Sequence, residues 1–369
     1  MKMLTPTDKA LWILALPMIL SNISVPLLGL VDTAVIGHLD SPVYLGGVAV
    51  GAMATSFLFM LLLFLRMSTT GLTAQAFGAG DKTALARALV QPMLLALLAG
   101  FAIIALRQPL INGVLRIVGG HEDVLEQARL FMQIRWLGAP ATLANLVILG
   151  WLLGVQYARA PVILLVVGNV INITLDLWFV VGLGWKVPGA ASATVIADYA
   201  TFLLGLGLIW HVMKLRGLHL EYFRNAWRGN LRRLLALNRD IMLRSLLLQL
   251  CFSSLTILGA RMGSEVVAVN AVLMNLLTFT AYALDGFAYA VEAHSGQAYG
   301  ARDGRKLQKI WHSACRQAGI VAVFFAMLYA VFGQQIIQIL TSLPEVQSLA
   351  LHYLPWRSEE HTSELQSQR

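Results

Sequence analysis

Charged residues are scarce in this chain of 369 residues, where Asp, Glu, Lys and Arg together make up only 12%. Hydrophobic residues account for 58%, and the mean hydropathy is +0.71. A soluble domain of this length could not hide so much apolar surface, because too few polar residues remain to cover it. The composition excludes an ordinary soluble protein and predicts a membrane protein whose apolar surface faces lipid.

Cysteine is also nearly absent, since the chain holds only Cys251 and Cys315. Both lie in or beside apolar runs, which favours two small buried apolar residues over a disulfide. A removable signal peptide is not expected either. The first apolar run, from Ala10 to Ile36, is too long for one and does not end in a small-residue cleavage site.

Known enzyme motifs are missing too. The sequence has no Cys/His metal cluster, no GxSxG nucleophile turn and no HExxH motif. Residues 78–83 have a superficial likeness to a phosphate-binding loop, but Asp81 separates Gly80 from Lys82 and breaks the required spacing. We therefore expect no catalytic residue, no metal site and no cofactor, and the protein is not predicted to be an enzyme.

Long apolar runs predict the fold. A helix needs about 20 apolar residues to cross the hydrocarbon core of a bilayer, and nine runs meet this length. They span approximately 10–36, 46–70, 88–106, 124–153, 161–183, 188–212, 240–261, 265–290 and 311–333. A tenth helix is expected to begin near Pro344. The predicted fold class is an all-α polytopic membrane protein.

The distribution of Lys and Arg predicts the orientation. With a cytoplasmic N-terminus, sixteen of these residues fall in inner segments and six in outer segments, so the N-terminus is predicted to lie in the cytoplasm. Seven of the inner charges belong to the segment 213–239. We expect this basic segment to contact anionic lipid headgroups, and the alternative of a nucleic-acid patch is not favoured.

One segment occurs twice. Residues 74–81 (AQAFGAGD) return as residues 296–303 (GQAYGARD), and the same shift of 222 positions aligns further residues on the N-terminal side of both copies. A membrane protein built from two similar halves is typical of secondary transporters, with the substrate route between the halves. We expect a first lobe at 1–212, a cytoplasmic linker at 213–239 and a second lobe at 240–356.

The C-terminal residues 357–369 differ from the rest of the chain. They are polar and unpatterned, and the letters RSEEHTSELQS resemble the conceptual translation of a common sequencing adapter. We interpret them as an assembly artefact and leave them out of the fold prediction. The alternative is an ordinary polar tail.

Acidic residues inside the apolar runs are candidates for function. An ionised carboxylate in hydrocarbon costs about 2.5–3.5 kcal/mol on insertion scales. Asp32 lies in the first run, six residues after Pro26, which is expected to bend this helix. In the fifth run Asn169, Asn172 and Asp176 are spaced i, i+3 and i+7 and so share one face. Their oxygens suit a hard cation or a protonated acid.

Four segments together resemble the MATE family of multidrug and toxic-compound extrusion transporters, most closely its DinF branch. They are 29–39 (GLVDTAVIGHL), 66–76 (RMSTTGLTAQA), 169–176 (NVINITLD) and 285–293 (DGFAYAVEA). The resemblance implies twelve helices in two six-helix lobes, of which this chain reaches about ten. It also implies export of organic, cationic or amphipathic small molecules from the bacterial inner membrane in exchange for H⁺ or Na⁺, and we expect a monomer.

The same resemblance implies the coupling site. The cation site that it implies in the N-terminal lobe consists of five residues: Asp32, Asn172, Asp176, Asn145 and Thr194. The alternative is that these polar groups only hold helices together.

The eighth run carries a second pair of acids, Asp285 and Glu292, seven positions apart and hence on one face. With Arg66 they could contact the substrate or an ion, or they could form structural ion pairs, and both interpretations stay open. The alternative function is a flippase for a lipid-linked precursor, which would be expected to line its central cavity with several cationic residues.

Overall fold

A computed structural model describes residues 5–39, 41–229, 231–262, 264–340 and 347–355. It leaves out the side chains of 24–30, 32–33, 339–340 and several positions between 256 and 275. The described residues are all-α and contain no β-strand. The helices are α1 Pro6–Gly37, α2 Pro42–Leu61, α3 Phe64–Ala79, α4 Lys82–Ala105, α5 Arg107–Val118, α6 Glu122–Arg135, α7 Ala139–Gly154, α8 Arg159–Asp176, α9 Lys186–Leu215, α10 Leu231–Met262, α11 Ser264–Gly300 and α12 Gly304–Leu340. Residues 347–355 are also helical, and 357–369, with the adapter interpretation, lie outside the described residues.

Two of the predicted helices are interrupted. The run 46–70 is divided between α2 and α3, which leaves Leu62 and Leu63 between them. The run 124–153 is divided between α6 and α7 by a 3₁₀ turn over Trp136–Gly138. The second break has a local cause, because Pro140 in the first turn of α7 lacks a backbone donor and favours a new helix start. The first break falls in a stretch of leucines, so composition does not reveal it.

Other boundaries also differ from the prediction. The short helix α5 was not predicted, because its twelve residues are too few and too polar to cross a bilayer. Helices α11 and α12 have 37 residues each and continue beyond their apolar runs into charged sequence. Helix α9 continues to Leu215 and α10 begins at Leu231, so both ends of the predicted linker are α-helical. The predicted lobe boundaries themselves stay a prediction.

The prediction of a multi-pass membrane protein is confirmed. Six helical stretches among the described residues are long and apolar enough to cross a bilayer: Pro42–Ala79, Lys82–Ala105, Glu122–Gly154, Arg159–Gly182, Lys186–Leu215 and Gly304–Gln338. Large apolar side chains such as Leu98, Phe101 and Leu203 are more than half exposed, as expected where lipid is the solvent. Cys251 and Cys315 are not joined in a disulfide, as expected, but the expectation that they are buried was wrong, since both are exposed. Lipid removes the need to bury a small apolar side chain inside the protein.

Contacts divide the chain into two compact units. The larger unit comprises 24–243 and 292–303, and glycines set its close helix packing. A Cβ at Gly51 on α2 would lie 2.6 Å from the Phe131 ring on α6. On α7, a Cβ at Gly150 would lie 2.7 Å from the backbone oxygen of Arg66, and one at Gly154 would lie 2.5 Å from Thr73 Cβ. Small residues four apart let helix backbones approach closely where no hydrophobic effect drives them together.

The two copies of the repeated segment meet inside this larger unit. Gly78, at the end of α3, packs against the backbone of Gln297 near the end of α11, and Gly300 packs in the same way against Gln75. Gln156, between α7 and α8, donates from its side-chain amide to Gln297 Oε1. The ends of α3 and α11 are thus joined backbone to backbone.

The smaller unit comprises the described parts of 1–23, 244–291 and 304–369. Its helix α1 begins with a capping box, in which the Asp8 carboxylate accepts from Thr5 N and the Thr5 hydroxyl accepts from Asp8 N. The indole of Trp12 donates to Gln317 Oε1 on α12 at 3.1 Å. Its ring packs against Phe287 on α11 with a centroid distance of 5.4 Å.

Candidate functional site

Of the three residues on the polar face predicted for α8, Asn172 and Asp176 are buried and Asn169 is half-buried. Asn172 is 4% exposed and Asp176 is fully buried, whereas Val170 on the opposite side is 58% exposed. Asn172 Oδ1 accepts no hydrogen bond from the described part of the chain. A buried amide oxygen in that state costs about 1–3 kcal/mol, which favours a cation, a protonated acid or a water at this position.

The helix changes its winding directly after Asp176. Residues Leu177–Gly182 form a π-helical turn, and Lys186 begins α9 shortly afterwards. Single π-turns inside helices occur often at functional sites. Asp176 is therefore the last residue of a regular helix at the point where the backbone changes register.

The other residues of the predicted coupling site lie on neighbouring elements. The side-chain amide of Asn145 on α7 donates to the backbone oxygen of Asp198 on α9 at 3.1 Å. The Thr194 hydroxyl on α9 donates to Ala190 O in its own helix at 3.2 Å. The side chain of Asp32 lies outside the described residues, and only its backbone in α1 is described. Joint action of these residues with Asn172 and Asp176 stays a prediction.

The larger unit also contains a charge pair that sequence reasoning missed. Arg135, the last residue of α6, lies 3.0 Å from the Asp198 carboxylate. Thr142 donates to the same carboxylate oxygen at 2.8 Å. The count of outer charges includes Arg135 and the run 188–212 includes Asp198, but neither pattern shows that the two residues pair. An isolated acid in that apolar run was the signal that could have identified the site.

The predicted contacts of the eighth run are divided between the units. Arg66 is 2% exposed, and its guanidinium lies 3.9 Å from the Glu292 carboxylate within the larger unit. It also donates to Thr70 Oγ1 at 3.4 Å. Asp285 belongs to the smaller unit and is half-buried. The geometry of Arg66 and Glu292 is that of an ion pair, and a substrate contact by Asp285 stays a prediction.

In the smaller unit, the Asp8 carboxylate, which lies outside the apolar runs, accepts several hydrogen bonds. Arg316 donates to both of its oxygens, at 2.7 and 2.5 Å, and Ser313 donates to Oδ1. Burial alone would raise the pKa of Asp8, but the hydrogen bonds from Ser313, Arg316 and Thr5 outweigh it and lower the pKa well below its usual range.

Comparison with known proteins identifies the fold. The MatE family profile matches residues 17–178 and 241–358. The chain is 72% identical over 357 residues to DNA damage-inducible protein F of Escherichia coli K12, a match that covers 97% of this chain and 78% of that protein. It is 25% identical over 352 residues to a probable multidrug resistance protein NorM of Acinetobacter baylyi, covering 94% and 78%.

Solved structures agree with this result. An outward-facing multidrug resistance MATE family transporter of the MOP superfamily matches with a TM-score of 0.80 and 25% identity, over 95% of this chain and 78% of that one. A MATE structure in the bent conformation matches with a TM-score of 0.85, 24% identity and the same coverage. The resemblance expected from the four sequence segments is confirmed, and the chain belongs to the MatE family of membrane transporters.

Proposed function

We propose that this protein is a secondary active exporter that moves organic, cationic or amphipathic compounds out of the cell in exchange for H⁺ or Na⁺. The observation that carries the proposal is the buried polar face of α8, with Asn172 and Asp176 inside a membrane-spanning stretch. Acidic and amide side chains inside a membrane-spanning stretch are costly to bury and tend to mark functional sites. The multidrug names of the NorM and MATE relatives support the substrate class.

A proton or a sodium ion is the natural ligand for this face. Carboxylate and amide oxygens suit a small hard cation, and a carboxylate that takes up a proton becomes a neutral donor. Asp32 from α1, Asn145 from α7 and Thr194 from α9 complete the proposed site. Binding of the ion changes the charge of a buried group, and this difference can bias two conformations of the lobe.

The proposed setting follows from the charges at the helix ends. We infer a multi-pass protein of the bacterial inner membrane with a cytoplasmic N-terminus, which the excess of Lys and Arg in the inner segments supports. The basic segment between α9 and α10 would then contact anionic lipid headgroups. The flippase alternative has no support from the relatives.

The test is transport by purified protein in proteoliposomes, with ethidium as the organic cation and imposed gradients of H⁺ or Na⁺. We expect one gradient to drive ethidium movement, and Asp32→Asn or Asp176→Asn to abolish the ion dependence. The double substitution should be little worse than either single one, because the first loss already disables a shared site. Asp240→Asn is the control, since this side chain is 64% exposed and pairs with its neighbour Arg239.

Two outcomes would contradict the proposal. Movement of ethidium that ignores both gradients would show that the protein is not an ion-coupled exporter. Full ion-driven transport by a well-folded Asp176→Asn protein would instead show that the α8 face only holds helices together.

A further inference from the structure

The Arg135–Asp198 pair is partly buried in the larger unit. Asp198 is twelve residues from the start of α9, so about 18 Å of helix separates it from Lys186 at a rise of 1.5 Å per residue. The side chains of Arg135 and Asp198 are 11% and 24% exposed. Both belong to helical stretches that are long and apolar enough to cross a bilayer. Asp198 falls inside the apolar run 188–212, where an acid tends to be functional.

Thr142 adds a hydrogen bond to this carboxylate. Its hydroxyl lies 2.8 Å from Asp198 Oδ2 and 3.0 Å from the backbone oxygen of Gly138. A hydroxyl has a single proton, and the carboxylate is the stronger acceptor. Arg135 reaches Thr142 Oγ1 as well, at 3.4 Å. The three side chains therefore connect the end of α6, the first turn of α7 and the middle of α9.

Asn145 receives its orientation from the same turn of α9. Its amide lies 3.1 Å from the backbone oxygen of Asp198. A backbone carbonyl can only accept, so Asn145 must present Nδ2 to α9. Its Oδ1 is thereby turned away from that carbonyl. Thr194 lies four residues before Asp198, one helical turn along the same face.

We infer that Asp198, held by Arg135 and Thr142, is a positioning residue that orients Asn145 toward the coupling ion. The inference rests on the proposed function. Arg135 and Thr142 both contact Asp198 Oδ2, and we assign to this carboxylate the role of holding α9 in place, not that of binding the ion. It fixes the α9 turn whose carbonyl orients the Asn145 amide, so that Oδ1 and not Nδ2 faces the ion. Partners of this kind typically change ion affinity by about 10–100-fold when removed.

The test separates ion affinity from folding. In proteoliposomes with ethidium, the concentrations of coupling ion and of ethidium that give half-maximal transport are measured separately. Thr142→Val keeps the side-chain shape and unpairs no charge within the Arg135–Asp198 contact. We expect it to raise the half-saturating ion concentration about tenfold and to leave that of ethidium within about twofold. Thr142→Ser restores the hydroxyl and should restore the wild-type value.

Two further variants make the result decisive. Thr201→Val removes a hydroxyl on α9 that donates to its own helix, at Ala197 O, and should change neither value. The neutral pair Arg135→Gln with Asp198→Asn keeps hydrogen-bonding groups without charge and should also weaken ion dependence. Unchanged ion saturation in folded Thr142→Val protein, or an equal change in Thr201→Val, would overturn the inference alone. Absence of ion dependence in the wild-type protein would overturn the proposed function and this inference with it.

Discussion

Gly78 packs directly against the backbone of Gln297, and the shift of 222 positions that relates the two repeated segments turns this contact into the one between Gly300 and Gln75. The two contacts are therefore equivalent members of one reciprocal pair, as at the interface of a two-fold dimer. In each contact a glycine, Gly78 or Gly300, leaves room for the backbone of the other copy. The two copies of the repeated segment thus pack against each other through equivalent residues.

Gly78→Ala should destabilise the protein. The added Cβ would meet the carbonyl of Gln297, which belongs to the backbone and cannot rotate away. Overpacking of this kind costs about 1–3 kcal/mol. The loss should be visible as a lower Tm in detergent by intrinsic fluorescence, and Gly300→Ala should behave alike.

Gly71→Ala is the matched control on the same helix, because a Cβ added at this position would have no described atom outside its own helix turn within 4 Å. Replacing a helical glycine by alanine is favourable by about 1 kcal/mol where space allows. Gly71→Ala should therefore leave Tm unchanged or raise it. A similar fall in Tm for Gly71→Ala and Gly78→Ala would contradict the contact.

Glu292→Gln should destabilise the larger unit through Arg66. The guanidinium is almost completely buried and would lose the carboxylate 3.9 Å away. Leaving a buried charge without its partner costs about 3 kcal/mol. Denaturant unfolding of the detergent-solubilised protein measures this loss, and the double change Arg66→Gln with Glu292→Gln should lose less than the sum of the two single changes.

Glu126→Gln, on an exposed position of α6, is the reference for this series and should stay within about 0.5 kcal/mol of the wild type. If Glu292→Gln unfolds like the wild type but shows a higher half-saturating ethidium concentration, the pair contacts substrate and the structural interpretation is wrong.

Asp8 should give the smaller unit a stability that depends on pH. Its native pKa is lowered, so the carboxylate stabilises the folded state fully above its unfolded pKa of about 3.9. As the pH falls below about 4 toward the native pKa, that contribution is lost. Asp8→Asn should cost about 2 kcal/mol near pH 7, from hydrogen bonds to a charged group.

The measurement is the difference in Tm between wild type and Asp8→Asn at pH 7, 5, 4 and 3.5. The difference should be constant at the two higher values and shrink at the lower two. Asp240→Asn, with its exposed pair to Arg239, should show a small difference at every pH. If the difference in Tm between wild type and Asp8→Asn were the same at pH 3.5 as at pH 7, this result would contradict the lowered pKa of Asp8.

Periodicity and burial cost were sufficient to predict much of the fold and one face of the site. The run of α8 placed Asn172 and Asp176 on one side because helical spacing alone determines which residues share a face. The start of α1 is equally readable, since Thr5, Pro6 and Asp8 form a capping box with proline at the first helical position.

The features that were missed depend on tertiary contacts. Local sequence does not mark the break at Leu62–Leu63. Asp198 and Arg135 are 63 positions apart on different helices, and only packing of α6 against α9 reveals that they neutralise each other. Cys251 and Cys315 were expected to be buried as small apolar residues. That expectation holds in water, but an apolar side chain that faces lipid need not be buried in the protein.

Because of the π-turn after Asp176, the geometry of the proposed ion site depends on the number of residues in 177–182. A π-turn holds about one residue more than an α-turn, which rotates everything after it by about 100° relative to the face of Asn172 and Asp176. A one-residue deletion within 177–182 would let the helix continue without that rotation, and the aromatic stack of Phe179 on Trp185 would turn with it. Insertions and deletions are usually tolerated near helix ends. In 177–182, by contrast, we expect the number of residues to matter as much as their identity.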